Sequence, residues 1–259
     1  MGNSISNLKK RIIPIILVKD YQVVKSRKFG DYRVFGNLEQ TINVFNNRNV
    51  DEIIILDIDA SKKKQSINLE ILNILSKNNI MPLSYGGGIS SIEDIELCLK
   101  HGCDKIVLNT KALQNIEFVK KASDIFGSQC ITCSIDYKVT NNDLKIFSHS
   151  GLNTDRIEFL NYIELLIENG AGELIFTSVD REGEMKGFDE NIFNIVVKNL
   201  DVPFLINGGC GEPKDILNVF KKSKIVDAVC ASSIFFYSQY GYSDIKNFLF
   251  ENHINVRKE

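Results

Sequence analysis

Two glycine clusters and two polar pairs stand at matching places in the chain. GGGIS begins at Gly86 and GGCGE at Gly208, and the runs that follow them end in Asn109-Thr110 and Ser232-Ser233. Glycine at a strand-to-helix turn lets the backbone approach an anion and aim N–H groups at it. One glycine pair alone reads as a tight turn, because glycine tolerates positive φ. Two pairs, each followed by short polar donors, point to two phosphate sites. Gly87, Gly88, Asn109 and Thr110 would form one, and Gly208, Gly209, Ser232 and Ser233 the other. Two such sites on opposite sides of one opening imply a long ligand with a phosphate at each end. A third feature is unequal. IPIILVKD (13–20) and CITCSIDYK (130–138) read as copies, yet they set Leu17 opposite Asp136. A carboxyl group can move a proton and leucine cannot.

These residues need a frame that repeats. β-branched runs at 12–18, 52–58, 81–87, 105–110, 130–136, 173–179, 203–209 and 228–233 read as strands. Between them lie segments with apolar residues at helical spacing, such as NLEQTINVFNN, SIEDIELCLKHG and PKDILNVFKKS. Strands alternating with helices indicate a parallel α/β fold, and eight of them a closed (β/α)8 barrel. The halves also match each other. Glu52 pairs with Glu173 and Pro82 with Pro203 at one spacing, and Asp104 with Asp227 and Leu17 with Asp136 within two residues of it. The expectation is two fused (βα)4 half-barrels in a single domain over 11–259, preceded by an N-terminal extension over 1–10. In such barrels the active site lies at the strand C-termini, and the loops after strands 7 and 8 often hold phosphate.

The opposite end carries Arg11, Glu52, Lys105 and Glu173 at or near strand starts. Charges there often just face solvent. Buried without partners they would be costly, so a mutually paired ring, able to act as a gate, is the alternative.

Composition narrows the classes. The chain has 259 residues, 44% of them hydrophobic, enough for a full core. Its 31 basic and 33 acidic residues form no basic block, which argues against a nucleic-acid surface. Cys130 and Cys133 form a C-x-x-C inside a strand-like run, where residues three apart face opposite sides. Free thiols in a reducing cytoplasm are the simpler reading. His101, His149 and His253 share no motif, so neither a metal site nor a cofactor nor a Ser-His-Asp triad is expected. No apolar run approaches the ~20 residues of a membrane span. The start, MGNSIS, fits the short acylation pattern, but one acyl chain anchors only marginally.

RIIPIILVKD, DEIIILDIDAS, YGGGIS, DKIVLNT, FGSQCITCSIDYK, NGAGELIFTSVDREGEMKGFD and INGGCG resemble, in order, segments of HisF, the cyclase subunit of imidazole glycerol phosphate synthase. The resemblance runs over residues 11–257 and includes the closing HINVR. It implies a barrel that partners a HisH-type glutaminase. Ammonia released from glutamine would enter through Arg11, Glu52, Lys105 and Glu173. It would meet a bis-phosphate, the phosphoribulosyl-formimino aminoimidazole carboxamide ribonucleotide, and yield imidazole glycerol phosphate. One phosphate maps to Gly88, Asn109 and Thr110. The other maps to Gly183, Gly209, Ser232 and Ser233, near Glu182, where the family usually has Asp. The family uses a carboxylate on strand 1 and another on strand 5. Asp136 matches the second, and the first falls on Leu17. Asp20 lies past the strand tip, while Lys19 and the run Val23, Val24, Lys25 are retained. The segment 25–37 departs from the family pattern and is expected to be a lid loop.

A lost acid beside a retained gate resembles cyclase paralogues of surface-polysaccharide pathways. Those deliver ammonia, with a glutaminase and a third amidotransferase protein, for acetamidino sugars. The alternatives are a working histidine-pathway cyclase, with Asp20 or a water replacing the acid, and a non-catalytic barrel that activates a glutaminase.

Overall fold

The structure, a computed structural model, describes residues 8–63, 65–140, 143–154, 156–196 and 200–257. The strands are β1 (Arg11–Lys19), β2 (Gln22–Arg27), β3 (Gly30–Asn37), β4 (Ile53–Asp57), β5 (Leu83–Gly86), β6 (Lys105–Leu108), β7 (Ile131–Thr140), β8 (Asp143–Ser148), β9 (Asn153–Thr154), β10 (Glu173–Ser178), β11 (Phe204–Asn207) and β12 (Val226–Ala231). Eight of them, β1, β4, β5, β6, β7, β10, β11 and β12, pair in parallel, and β12 returns to β1. The result is a closed (β/α)8 barrel, as the alternation of strands and helices predicts.

The helices are α1 (Leu38–Asn47), α2 (Leu69–Asn78), α3 (Ile92–Lys100), α4 (Thr110–Gln114), α5 (Ile116–Phe126), α6 (Phe159–Glu168), α7 (Asn191–Ile195), α8 (Pro213–Lys222), α9 (Ile234–Tyr237) and α10 (Tyr242–Glu251). Their ends follow local chemistry. Ser91 and Asp94 form a reciprocal capping box before α3. Pro213 opens α8, where its missing N–H costs nothing. Each helix lays an apolar stripe on the barrel's outside, and this shell is the main core. A smaller core fills the barrel: Ile13, Ile15, Ile54, Val107, Ile175, Leu205, Ala228 and Cys230. Inward residues alternate along each strand because strand side chains change face at every step.

Two elements depart from expectation. The segment 25–37 is not an irregular loop: β2 and β3 form an antiparallel hairpin, with Leu17 opposite Val24 and Val18 opposite Val23. β1 is long enough to run past the rim, and burying Val23 and Val24 holds the hairpin to it. β7 does the same with β8, setting Asp136 opposite Phe147. Each half-barrel thus extends its first strand into a hairpin over the mouth. Cys130 also differs, ending a short 3-10 turn rather than lying in the strand. All six cysteines are free thiols. At the N-terminus the acylation-like start lies outside the described residues, whereas Lys10 is bonded into the barrel through its N–H to Asn255 O at 2.7 Å.

Candidate functional site

At the C-terminal ends of the strands the structure opens a cavity of about 620 Å³. Gly87, Gly88, Asn109 and Thr110 form one wall, and Gly183, Gly208, Gly209, Ser232 and Ser233 the other. All nine residues proposed for phosphate therefore reach one chamber, with Leu17 and Asp136 in it as well. The second glycine of each cluster has a packing reason of its own. A Cβ on Gly87 would come within 2.2 Å of Asp57 O, and one on Gly209 within 2.2 Å of Gly187 O. Both have positive φ.

Asp136 is 8% exposed. The Ser134 hydroxyl donates to it at 3.1 Å. Burial pushes its carboxyl up to about 7; bonds from Ser134 and Thr177 oppose this, and the charge of Glu182 adds to it. A carboxyl poised there can both give and take a proton near neutrality. Leu17, facing the same space, packs on the apolar residues of the barrel interior. Asp20 does not take its place. It has φ 45, pairs with Lys63 at 2.7 Å on the surface and is not part of the cavity wall.

The hairpins cross over the mouth, each to the other half's wall. From β2, Lys25 reaches Ser232, hydrogen-bonding its hydroxyl, which also donates to Ile15 O. Lys25 is 2% exposed, with its ammonium 3.8 Å from the centre of the Phe236 ring. Burial lowers its pKa to about 7, against the pull of Glu182. The next residue, Ser26, donates to Glu182 at 3.0 Å, and Lys28 N donates to Glu182 O at 3.0 Å. Burial raises the Glu182 pKa, although Ser26 and Phe29 N–H oppose it. From the turn after β8, His149 N donates to Thr110 Oγ1 at 3.1 Å, and Ser150 Oγ donates to Ile58 O at 2.9 Å. Sequence reasoning passed over Lys25 as a site residue and set His149 aside because it shares no motif with the other histidines. Lys25 was visible in a retained valine-valine-lysine run; His149 had no signal beyond its residue type.

The four charges at the other end form a closed ring. Arg11 meets Glu52 at 2.9 Å and Glu173 at 2.6 Å; Lys105 meets Glu52 at 3.2 Å and Glu173 at 3.0 Å. Ser84 and Thr132 add bonds to the two carboxylates. Burial alone would raise the Glu173 pKa, but Arg11 and Lys105 outweigh it and hold it below the ordinary range. Within the barrel, the Cys230 thiol is pushed well up, first by burial and then by Glu52 and Glu173. Among the described residues no cluster of three or more His, Cys, Asp or Glu could hold a metal ion, and no helix is long and apolar enough to cross a membrane.

Comparison with known proteins agrees with this architecture. The sequence profile of the family described as histidine biosynthesis protein matches residues 11–241. A Campylobacter jejuni protein provisionally named imidazole glycerol phosphate synthase subunit hisF2 is 43% identical over 253 residues, covering 96% of this chain and 99% of that protein. The imidazole glycerol phosphate synthase subunit HisF of Natranaerobius thermophilus is 35% identical over 250 residues, covering 96% and 99%. That of Methanopyrus kandleri is 33% identical over 270 residues, covering 97% and 99%. The chain belongs to the HisF family of histidine-biosynthesis proteins.

Proposed function

We propose that this barrel is the synthase-type subunit of a glutamine amidotransferase complex, taking ammonia from a HisH-type glutaminase to an acceptor at the mouth. The observation that carries the reading lies on the first strand of each half: Asp136, with its carboxyl near neutrality, faces the cavity from one, and Leu17 faces it from the other. The charged ring is complete at the far end, and apolar side chains line the interior between. Ammonia is neutral and small, so an apolar passage suits it. At least one bridge of the ring must open to admit it. Two walls of glycines and hydroxyls suit an acceptor that is phosphorylated at both ends or extended between them. With one acid missing, general acid–base catalysis of ring closure should be weakened by on the order of 10²–10⁴. An acceptor needing one proton-transfer group fits better, and formation of an acetamidino sugar, with a third amidotransferase protein, is our preferred example. The work belongs in the cytoplasm, where glutamine and phosphorylated intermediates are found.

A histidine-pathway cyclase is the second reading, favoured by the convergence of all nine phosphate-site residues on one cavity. The test is a cyclase assay with the bis-phosphate ribonucleotide and ammonium salt, on wild type and Leu17→Asp. Turnover by wild type at an ordinary enzymatic rate establishes the cyclase and sinks the altered-acceptor reading. An inert wild type with an active Leu17→Asp means the pocket is conserved and only the acid was lost. If both are inert, the pocket itself has been rebuilt for another acceptor.

A further inference from the structure

The mouth of the barrel has two hairpins, and each brings a nitrogen to a hydroxyl of the opposite wall, a side-chain ammonium from Lys25 and a main-chain N–H from His149. Lys25 goes to Ser232, and His149 goes to Thr110. The registers make the two positions comparable. Leu17 pairs with Val24 and Asp136 with Phe147, so Lys25 and His149 follow the paired residue by one and two places. Lys25 is spent on protein partners. The His149 ring meets protein partners at Nδ1, and its surroundings fix what it can do.

Two groups occupy its Nδ1. The Ser148 hydroxyl lies at 3.0 Å and the Asn153 amide nitrogen at 3.1 Å. With the Asn153 amide nitrogen turned to the ring, Nδ1 accepts and then carries no proton. The ring is therefore the neutral tautomer with its hydrogen on Nε2. Neither Ser148 nor Asn153 forms part of the cavity wall, whereas His149 does. The edge left for the cavity is the one that carries Nε2–H.

The backbone supports a dedicated placement. His149, Ser150 and Gly151 have φ of 51, 53 and 83 in succession. Two non-glycine residues in the left-handed region cost energy and persist only where their surroundings hold them. Here the hold is explicit: His149 N to Thr110, Ser150 Oγ to Ile58 O, and Gly151 N to Ser148 O at 3.1 Å. Gly151 also abuts Phe29 from the other hairpin, where an added Cβ would meet Phe29 Cδ2 at 2.9 Å. The turn is clamped from both sides over the wall formed by Gly88, Asn109 and Thr110.

We propose that His149 is a ligand-binding residue of this wall, donating Nε2–H as a neutral imidazole to an anionic oxygen bound beside Gly88 and Thr110. The inference rests on the reading of that wall as a phosphate half-site. A neutral donor suits the place, since it binds an anion without adding a positive charge that Lys111 already supplies to the same wall. The two halves then grip their ligand differently, one with a fixed neutral donor and the other under a buried lysine.

Calorimetric titration of the whole protein with the bis-phosphate ribonucleotide, and separately with inorganic phosphate, tests this. His149→Phe removes the donor and keeps a ring. His149→Asn removes it and tolerates the left-handed backbone. Both should bind about tenfold to a hundredfold more weakly, the scale of one hydrogen bond to a charged group, with thermal midpoints close to wild type. Nitrogen NMR of the His149 ring should place the hydrogen on Nε2. If both variants bind as wild type does while Thr110→Val loses affinity, the half-site stands and the role of His149 is overturned. If wild type binds neither probe, both fall. A proton on Nδ1 overturns the donor assignment by itself.

Discussion

In the first half-barrel β1 presents Leu17 to the mouth, and its hairpin brings Lys25 to Ser232; in the second, β7 presents Asp136, and its hairpin brings the His149 main chain to Thr110. The frame is shared to the level of strand register, and the chemistry at the tips is not. Positions are set by barrel closure and by the alternation of strand side chains, which tolerate any residue that fills the same space. Leucine and aspartate share the number and branching of side-chain heavy atoms, so the exchange fits the same frame and removes a proton carrier. At the opposite end the two carboxylates have stayed equal, although both cations come from the first half. Glu52 and Glu173, equivalent in the repeat, each bridge both Arg11 and Lys105. A closed charge ring resists piecemeal change, because deleting one member strands two others.

That contrast can be broken first at the ring. Glu173→Ala should cost about 3–5 kcal/mol, the usual result of removing one partner from a buried ion pair. Glu52→Ala should cost nearly the same, and urea unfolding of the two variants would show it. A large inequality would mean the halves are not equivalent even here.

The tips should answer with the opposite sign. The Asp136 carboxyl is raised from 3.8 to about 7, so between those pH values the folded protein holds a proton that the unfolded chain has lost. Stability contributed by this group therefore falls as pH rises from about 4 to 7, by roughly 4 kcal/mol at 1.36 kcal/mol per unit. Asp136→Asn should be more stable than wild type at pH 7, and its urea midpoint should lose that slope. Lys25 acts in the other direction. Its pKa is depressed to about 7, so its cost is full below that and fades as pH climbs toward 10.5. The combined cost of these two buried groups should be greatest near pH 7.

The smallest effect belongs to Asp20. Its pair with Lys63 is on the surface, where solvent screens the attraction and little stability depends on it. Asp20→Asn should leave stability and turnover in the ammonium assay within about twofold of wild type. A loss of turnover comparable with that of Asp136→Asn would instead make Asp20 the substitute acid.

Much of this was readable from the chain. The strands, the repeat, the ring and the glycine walls rest on local periodicity and on residue types that a closed barrel places by rule. The hairpins were not, and the reason is specific. The turns of the first-half hairpin use Asp20-Tyr21 and Lys28-Phe29, all four with positive φ and none of them glycine or asparagine. The usual sign of a two-residue hairpin turn is an Asn-Gly or Asp-Gly pair, so the segment reads as a loop. With the hairpin hidden, so were Lys25 on Ser232 and His149 on Thr110, since each contact crosses from one half to the other. The helix α10 escaped for a plainer reason: its apolar residues are interrupted by Lys246 and Asn247, although Tyr242, Ile245 and Leu249 are fully packed.

One main-chain contact has a topological consequence. Lys10 bonds to Asn255 and bridges Val256, while β1 pairs with β12 as regularly as any neighbours do. The place where the polypeptide enters the barrel is adjacent to the place where it leaves. A short linker across that seam, with a new opening at Gly127 ahead of β7, would reverse the sequence order of the halves. It would leave the ring and every wall of the mouth unaltered. Which strand comes first would then carry no structural information, and only the circular order of the eight strands would remain.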